Sequence, residues 1–134
     1  MTTRPSSLEL TLRAALVPAM RAKDTVALTA LRSALAAIAD AEAVDASTVE
    51  RLSVTTSGHV AGAVTGIGAG EVARRQLSDD DVRRIVLDGV LTRRSDADTL
   101  QRYGAAERAD TLRAEAEVLS TVLRHVPVEP SEGF

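Results

Sequence analysis

The sequence contains no cysteine and no tryptophan, and its single Tyr and single Phe make up 1% of the chain. Without cysteine there is no disulfide framework, no thiolate zinc site and no Cys nucleophile. Charge of one sign is also missing, since 16 Lys and Arg face 19 Asp and Glu for a net charge of −3. No global basic field therefore exists to hold nucleic acid nonspecifically, and any such partner must meet a local patch. Residues 1–12 carry no charged-then-apolar leader, so the expected location is the cytoplasm, with no membrane contact. What remains is aliphatic and small: 23 Ala, 15 Leu and 15 Val in 134 residues. Such a core suits close helix packing better than a β-sandwich, and a chain of this length buries roughly two-thirds of its unfolded surface as one domain. The expected fold is all-α.

Ser6-Ser7-Leu8-Glu9 reads as a capping box, and Leu8, Leu12, Ala15, Leu16 and Ala19 then recur at helical spacing, predicting a helix over residues 7–22. Pro18 lies inside that run, where it removes the bond to Ala14, so a kink or an early end is expected. Asp24 can cap a second helix over 25–44, on which Leu28, Leu31, Leu35 and Ile38 form a packing seam. Ser47-Thr48 offers another cap for a short piece through Leu52. Five of the eight glycines then fall between Gly58 and Gly70, so residues 55–70 read as a long loop.

Ser78 followed by Asp79, Asp80 and Asp81 opens a third helix over 79–103, with Val82, Ile85, Val86, Val90, Ala97, Leu100 and Tyr103 on one face and Gly104 as its stop. Ala109, Leu112, Ala116, Leu119, Leu123 and Val126 step by three and four until Pro127, which defines a fourth helix. The expected architecture is two antiparallel helical hairpins packed as a small bundle over residues 1–126, with a frayed tail at 127–134.

Three stretches together resemble one family. Ala19-Met20-Arg21-Ala22-Lys23-Asp24, with Leu31-Arg32 and Ala36-Ala37-Ile38-Ala39-Asp40-Ala41-Glu42, is similar to the first hairpin of the GatB/YqeY-like proteins, relatives of the tail of the tRNA-dependent Asp/Glu amidotransferase B subunit. Leu77-Ser78-Asp79-Asp80-Asp81-Val82 with Arg93-Arg94, and Leu112-Arg113-Ala114-Glu115-Ala116-Glu117-Val118-Leu119, resemble the second hairpin in the same order. The resemblance covers most of residues 8–126, with a Gly-rich insert and without the second small helical domain into which the family continues. It implies carbon–nitrogen ligase activity with glutamine as amide donor by kinship alone. Glutamate activation and ammonia supply belong to other parts of that enzyme, so the implied role is a non-catalytic accessory one. The implied partners are tRNA or amidotransferase subunits, and the alternative is a protein-interaction or oligomerisation bundle, homo-oligomers included, with no RNA role.

Candidate sites follow from position. The Gly-rich stretch lacks the preceding strand and the terminal Gly-Lys-Ser/Thr of a phosphate loop, which leaves a packing or mobile loop or contact with a macromolecule. His59 and His125 are the only histidines, and neither their spacing nor any strand-borne nucleophile suggests a metal site or hydrolysis; no metal and no cofactor are expected. Arg83, Arg84, Arg94 and Arg102 share a side of the third helix with Asp80, Asp88 and Asp98 as i,i+4 partners, a solvated salt-bridged face. Arg93 falls instead among apolar positions, as does Glu42 on the second helix with Arg32 at its edge, so Glu42 and Arg93 are expected either to pair or to face a ligand. Tyr103 is expected to pack at the helix end. The tentative binding residues for tRNA are Arg21, Lys23, Arg32, Arg93 and Arg94.

Overall fold

The computed structural model describes residues 5–57 and 77–126, and every regular element among them is an α-helix. The helices are α1 (Ser7–Ala22), α2 (Thr25–Ser57), α3 (Asp79–Arg102) and α4 (Ala106–His125). They belong to two compact units, one containing residues up to Leu35 and from Ser78 onward, the other Ala36–Leu77. The first unit thus holds α1, the opening turns of α2, α3 and α4. The expected loop at 55–70 is helical through Ser57, and its remainder lies outside the described residues, as do His59 and the tail at 127–134.

Helix α2 runs well past the expected end at residue 44, absorbing the short piece placed at Ser47–Leu52. No Gly or Pro occurs between Pro18 and Gly58, so weak periodicity alone did not end the helix. Helix α1 likewise continues through Pro18. Pro18 and Ala14 are both exposed, so the Ala14 carbonyl left without its amide partner lies on the solvent side.

Both hairpin turns of the first unit close by the same Schellman arrangement, in which two amides past the helix end return to carbonyls of its last turn. At the end of α1 the Asp24 amide donates to Ala19 O at 2.9 Å and the Lys23 amide to Met20 O at 3.1 Å. At the end of α3 the Ala105 amide donates to Leu100 O at 2.9 Å and the Gly104 amide to Gln101 O at 3.1 Å. The left-handed position is Gly104 in the second turn (φ 87°) but Lys23 in the first (φ 55°). Asp24 also starts α2, its Oδ1 accepting the Ala27 amide at 3.0 Å. Helix α3 begins with a full capping box between Ser78 and Asp81. At α1 only half of the expected box forms: Ser6 Oγ accepts the Glu9 amide, whereas the Glu9 carboxylate binds Arg13 Nη2 at 2.7 Å.

Helices α3 and α4 pack antiparallel along their length, and α1 contacts both. Leu8, Leu12 and Ala19 of α1, Ala27, Ala30, Leu31 and Ala34 of α2, Val82, Val86, Val90 and Ala97 of α3, and Ala109, Ala116, Leu119 and Val122 of α4 are buried. Small residues dominate this set, which permits the close helix approach that the composition suggests. The fold class is all-α, a small helical bundle. No helix among the described residues is long and apolar enough to cross a membrane.

Candidate functional site

The polar features of the bundle concentrate on the α3–α4 hairpin, where three bridges occur in reversed order along the two helices. Near the open end, Arg83 Nη1 donates to Leu123 O at 3.3 Å and Nη2 donates to Val126 O. In the middle, Arg93 Nε donates to Glu115 Oε1 at 3.0 Å. Near the turn, Arg113 Nη2 meets Asp98 Oδ1 at 2.8 Å. The first bridge supplies donors to carbonyls at the C-terminal end of α4, which have no amide partner within the helix. Arg83 is therefore half-buried and structural, not a member of the solvated face where the i,i+4 pattern places it. Asp98 likewise bridges to α4, while Arg102 donates to Thr99 Oγ1 at 3.4 Å.

Arg93 is half-buried, and its side chain retains 15% of its exposure, against 9% for Glu115. Its Nη1 donates to Gly89 O at 3.2 Å. The carboxylate facing Arg93 inside the hairpin is thus Glu115, a residue that the sequence reading did not single out. The same spacing test that flags Arg93 would have found it, because Glu115 lies three residues after Leu112, four before Leu119 and seven before Val122, all on the inward face of α4. Glu42 is half-buried in the second unit. Two of the three guanidinium nitrogens of Arg93, Nε and Nη1, are thus engaged within the hairpin.

The other expected binding residues remain at the surface. Arg21, Lys23, Arg32 and Arg94 are exposed, and none forms a hydrogen bond or ion pair through its side chain among the described residues. Arg13, Arg93, Arg113 and Arg124, by contrast, all bind carboxylates. Arg94 does act at a distance on Glu117: a hydrogen bond from Arg124 at 3.0 Å, the charge of Arg124 and then the charge of Arg94 hold the Glu117 carboxyl below its ordinary value. Tyr103, expected to pack, is 84% exposed at the α3–α4 turn, because the helix ends at Arg102 and the Schellman turn directs the chain away at that point. His125 is exposed, with Nδ1 2.8 Å from Thr121 O.

Outward-facing apolar residues form a second feature. Leu10, Val17 and Met20 are about half exposed on the side of α1 opposite Leu8, Leu12 and Ala19, and Leu87 and Leu91 are similarly exposed one turn apart on α3. A shallow cleft of about 400 Å³ lies between the last turns of α3 and the first turns of α4, lined by Asp96, Thr99, Leu100, Arg108 and Leu112. Among the described residues no group of three or more His, Asp or Glu is arranged to hold a metal ion. Comparisons with protein-family models, with curated proteins and with solved structures returned no match.

Proposed function

We propose that the chain is a non-catalytic accessory module of the GatB/YqeY-like kind, a cytoplasmic partner of tRNA-dependent amidotransferase chemistry that touches tRNA through its first hairpin. The observation that carries this reading is the set of free cations at and after the α1–α2 turn. Arg21, Lys23 and Arg32 are exposed and engage no carboxylate among the described residues, whereas Arg13, Arg93, Arg113 and Arg124 are each neutralised by one. A solvated cation with no fixed partner is the group that can replace a phosphate counterion, and counterion release is what drives binding to a polyanion. Arg94 adds a cation on the second hairpin, whereas Arg93 is withdrawn from this footprint by Glu115.

Three or four phosphate contacts on an acidic chain give weak, salt-sensitive binding. The test is titration of tRNA with the full chain at about 50 and 200 mM salt, where a several-contact interface loses orders of magnitude in affinity. Binding at the lower salt that falls steeply at the higher, and a shallower salt slope for the combined R21A, K23A and R32A variant, support the reading. No binding at 50 mM salt with the protein well above the ~10⁻⁴ M nonspecific range defeats it.

Leu10, Val17 and Met20 favour a second reading, a protein-interaction bundle with no RNA role. Apolar side chains about half exposed along one helix face lose free energy to water that a partner helix would recover. In that case substituting Leu10 and Met20 by Ser weakens co-purification with an amidotransferase subunit or shifts the mass in sedimentation equilibrium, with tRNA binding undetectable throughout.

A further inference from the structure

The α3–α4 cleft has a lining of definite chemical polarity. Leu100 and Leu112, both half-buried, line it together with Asp96 and Thr99 from α3 and Arg108 from α4. The cleft is about 400 Å³, shallow and largely open to solvent. Asp96 and Arg108 have opposite charges and line one cavity, yet no ion pair joins them or engages either with another described residue. Nearby, the same two helices are joined by Arg113 and Asp98 at 2.8 Å, so the hairpin does close its charges directly where the spacing suits. Thr99 Oγ1 is already used, donating to Ser95 O and accepting from Arg102 Nη2, and so belongs to the wall and not to the reading groups.

We propose that this cleft is a weak site for a small zwitterion with an aliphatic body, an apolar α-amino acid being the simplest member of the class. Its ammonium pairs with Asp96, its carboxylate pairs with the Arg108 guanidinium, and its side chain covers Leu100 and Leu112. The carboxylate can accept two parallel N–H donors from Arg108, which fixes its orientation, while Asp96 excludes a second anion from the other wall. A monoanion or a monocation leaves one of the three elements unmatched, and a neutral hydrocarbon leaves two. Both charged side chains are exposed, which keeps the interaction in the range of solvated ion pairs and places the expected dissociation constant in the millimolar region.

The experiment is an amide-resolved NMR titration of the full chain with L-leucine, N-acetyl-L-leucine and L-leucinamide. L-leucine is expected to give saturable shifts centred on Thr99, Leu100, Arg108 and Leu112, while blocking the amine or the carboxylate weakens binding by about two- to fivefold, the effect of one exposed charge pair. The substitution D96N should abolish the difference between L-leucine and its N-acetyl form, and R108Q the difference between L-leucine and its amide. Both positions are exposed, and unchanged amide spectra elsewhere report that the fold is intact. Shifts that are absent or rise linearly without saturating, or that are the same for all three compounds, overturn the proposal, as does an unchanged preference in both variants.

Discussion

Arg93 Nε lies 3.0 Å from Glu115 Oε1 between two antiparallel helices, and the same guanidinium reaches back one turn to the carbonyl of Gly89. The carboxylate thereby anchors Arg93 on α4 while Gly89 anchors it on α3, so one side chain fixes the register of the hairpin. Removing either charge leaves the other poorly solvated. Glu115→Ala or Arg93→Ala is expected to destabilise the chain by about 2–4 kcal/mol, somewhat below the ~3–5 kcal/mol of a fully buried pair because Arg93 keeps some solvent contact. Replacing both by Leu and Met should recover most of that loss. Chemical denaturation of the double-mutant cycle measures the coupling, and a value indistinguishable from zero refutes a structural role for the pair.

Gly89 faces that pair. A Cβ at this position would meet Arg93 Nη1 at 3.3 Å and Leu119 Cδ1 at 3.9 Å. Alanine normally stabilises a helix interior over glycine by about 1 kcal/mol, but here the gain is opposed by displacing a guanidinium that is hydrogen-bonded at two points. Gly89→Ala should therefore raise stability by less than the usual amount in the native chain. In an Arg93→Met background the full increment should return, and equal effects in both backgrounds would show that the contact does not matter.

Lys23 holds a left-handed conformation in the turn where its counterpart in the second hairpin is Gly104. A Cβ costs roughly 1 kcal/mol in that conformation, and the cost disappears without one. Lys23→Gly is expected to raise the unfolding midpoint, by up to about 1 kcal/mol in free energy. Lys23→Ala keeps the Cβ and should not, which separates backbone relief from loss of charge.

Much of this was readable in advance where a local rule has no competitor. Ser78 with Asp81, Asp24 before Ala27, and Gly104 after Arg102 each mark a helix end by a side chain or backbone property that acts within a few residues, and each does so in the structure. The extension of α2 was hidden because periodicity reports burial, whereas helix continuation needs only the absence of breakers. The inward position of Glu115 is legible only from its spacing to Leu112, Leu119 and Val122, since its residue type is the same as that of its neighbour Glu117. In the structure the two diverge: Glu115 is 7% exposed, and Glu117 lies outside with Arg124. The exposed position of Tyr103 and the two-walled cleft had no signature, since both depend on how two helices approach across a turn.

Arg83 places donors on the carbonyls of Leu123 and Val126, closing the end of α4 from a residue 40 or more positions earlier in the chain. Arg83→Met keeps the apolar stem of the side chain and removes only the donors. The expected loss is about 1–2 kcal/mol, the range for unsatisfied carbonyls at a partly buried site. Hydrogen exchange should speed up in the last turn of α4 before it changes in α3, and uniform acceleration would indicate a packing defect instead.

The Glu117 carboxyl is held below its ordinary value, first by the hydrogen bond from Arg124 and then by the Arg124 charge. A carboxylate whose folded value is depressed adds stability that is present above its unfolded value, about 4.3, and is lost as the pH falls through the folded value. The pair is fully exposed, so its effect on stability is small and the direct measurement is the titration itself. Following the Glu117 side-chain carbon by NMR from about pH 7 to 2 should give a midpoint below that of an unperturbed Glu near 4.3. Arg124→Ala should raise the midpoint most of the way to the ordinary value, and Arg94→Ala should raise it less, because Arg94 acts through its charge alone. A midpoint that moves as far for Arg94 as for Arg124 would mean that long-range charge, and not the 3.0 Å contact, sets the shift.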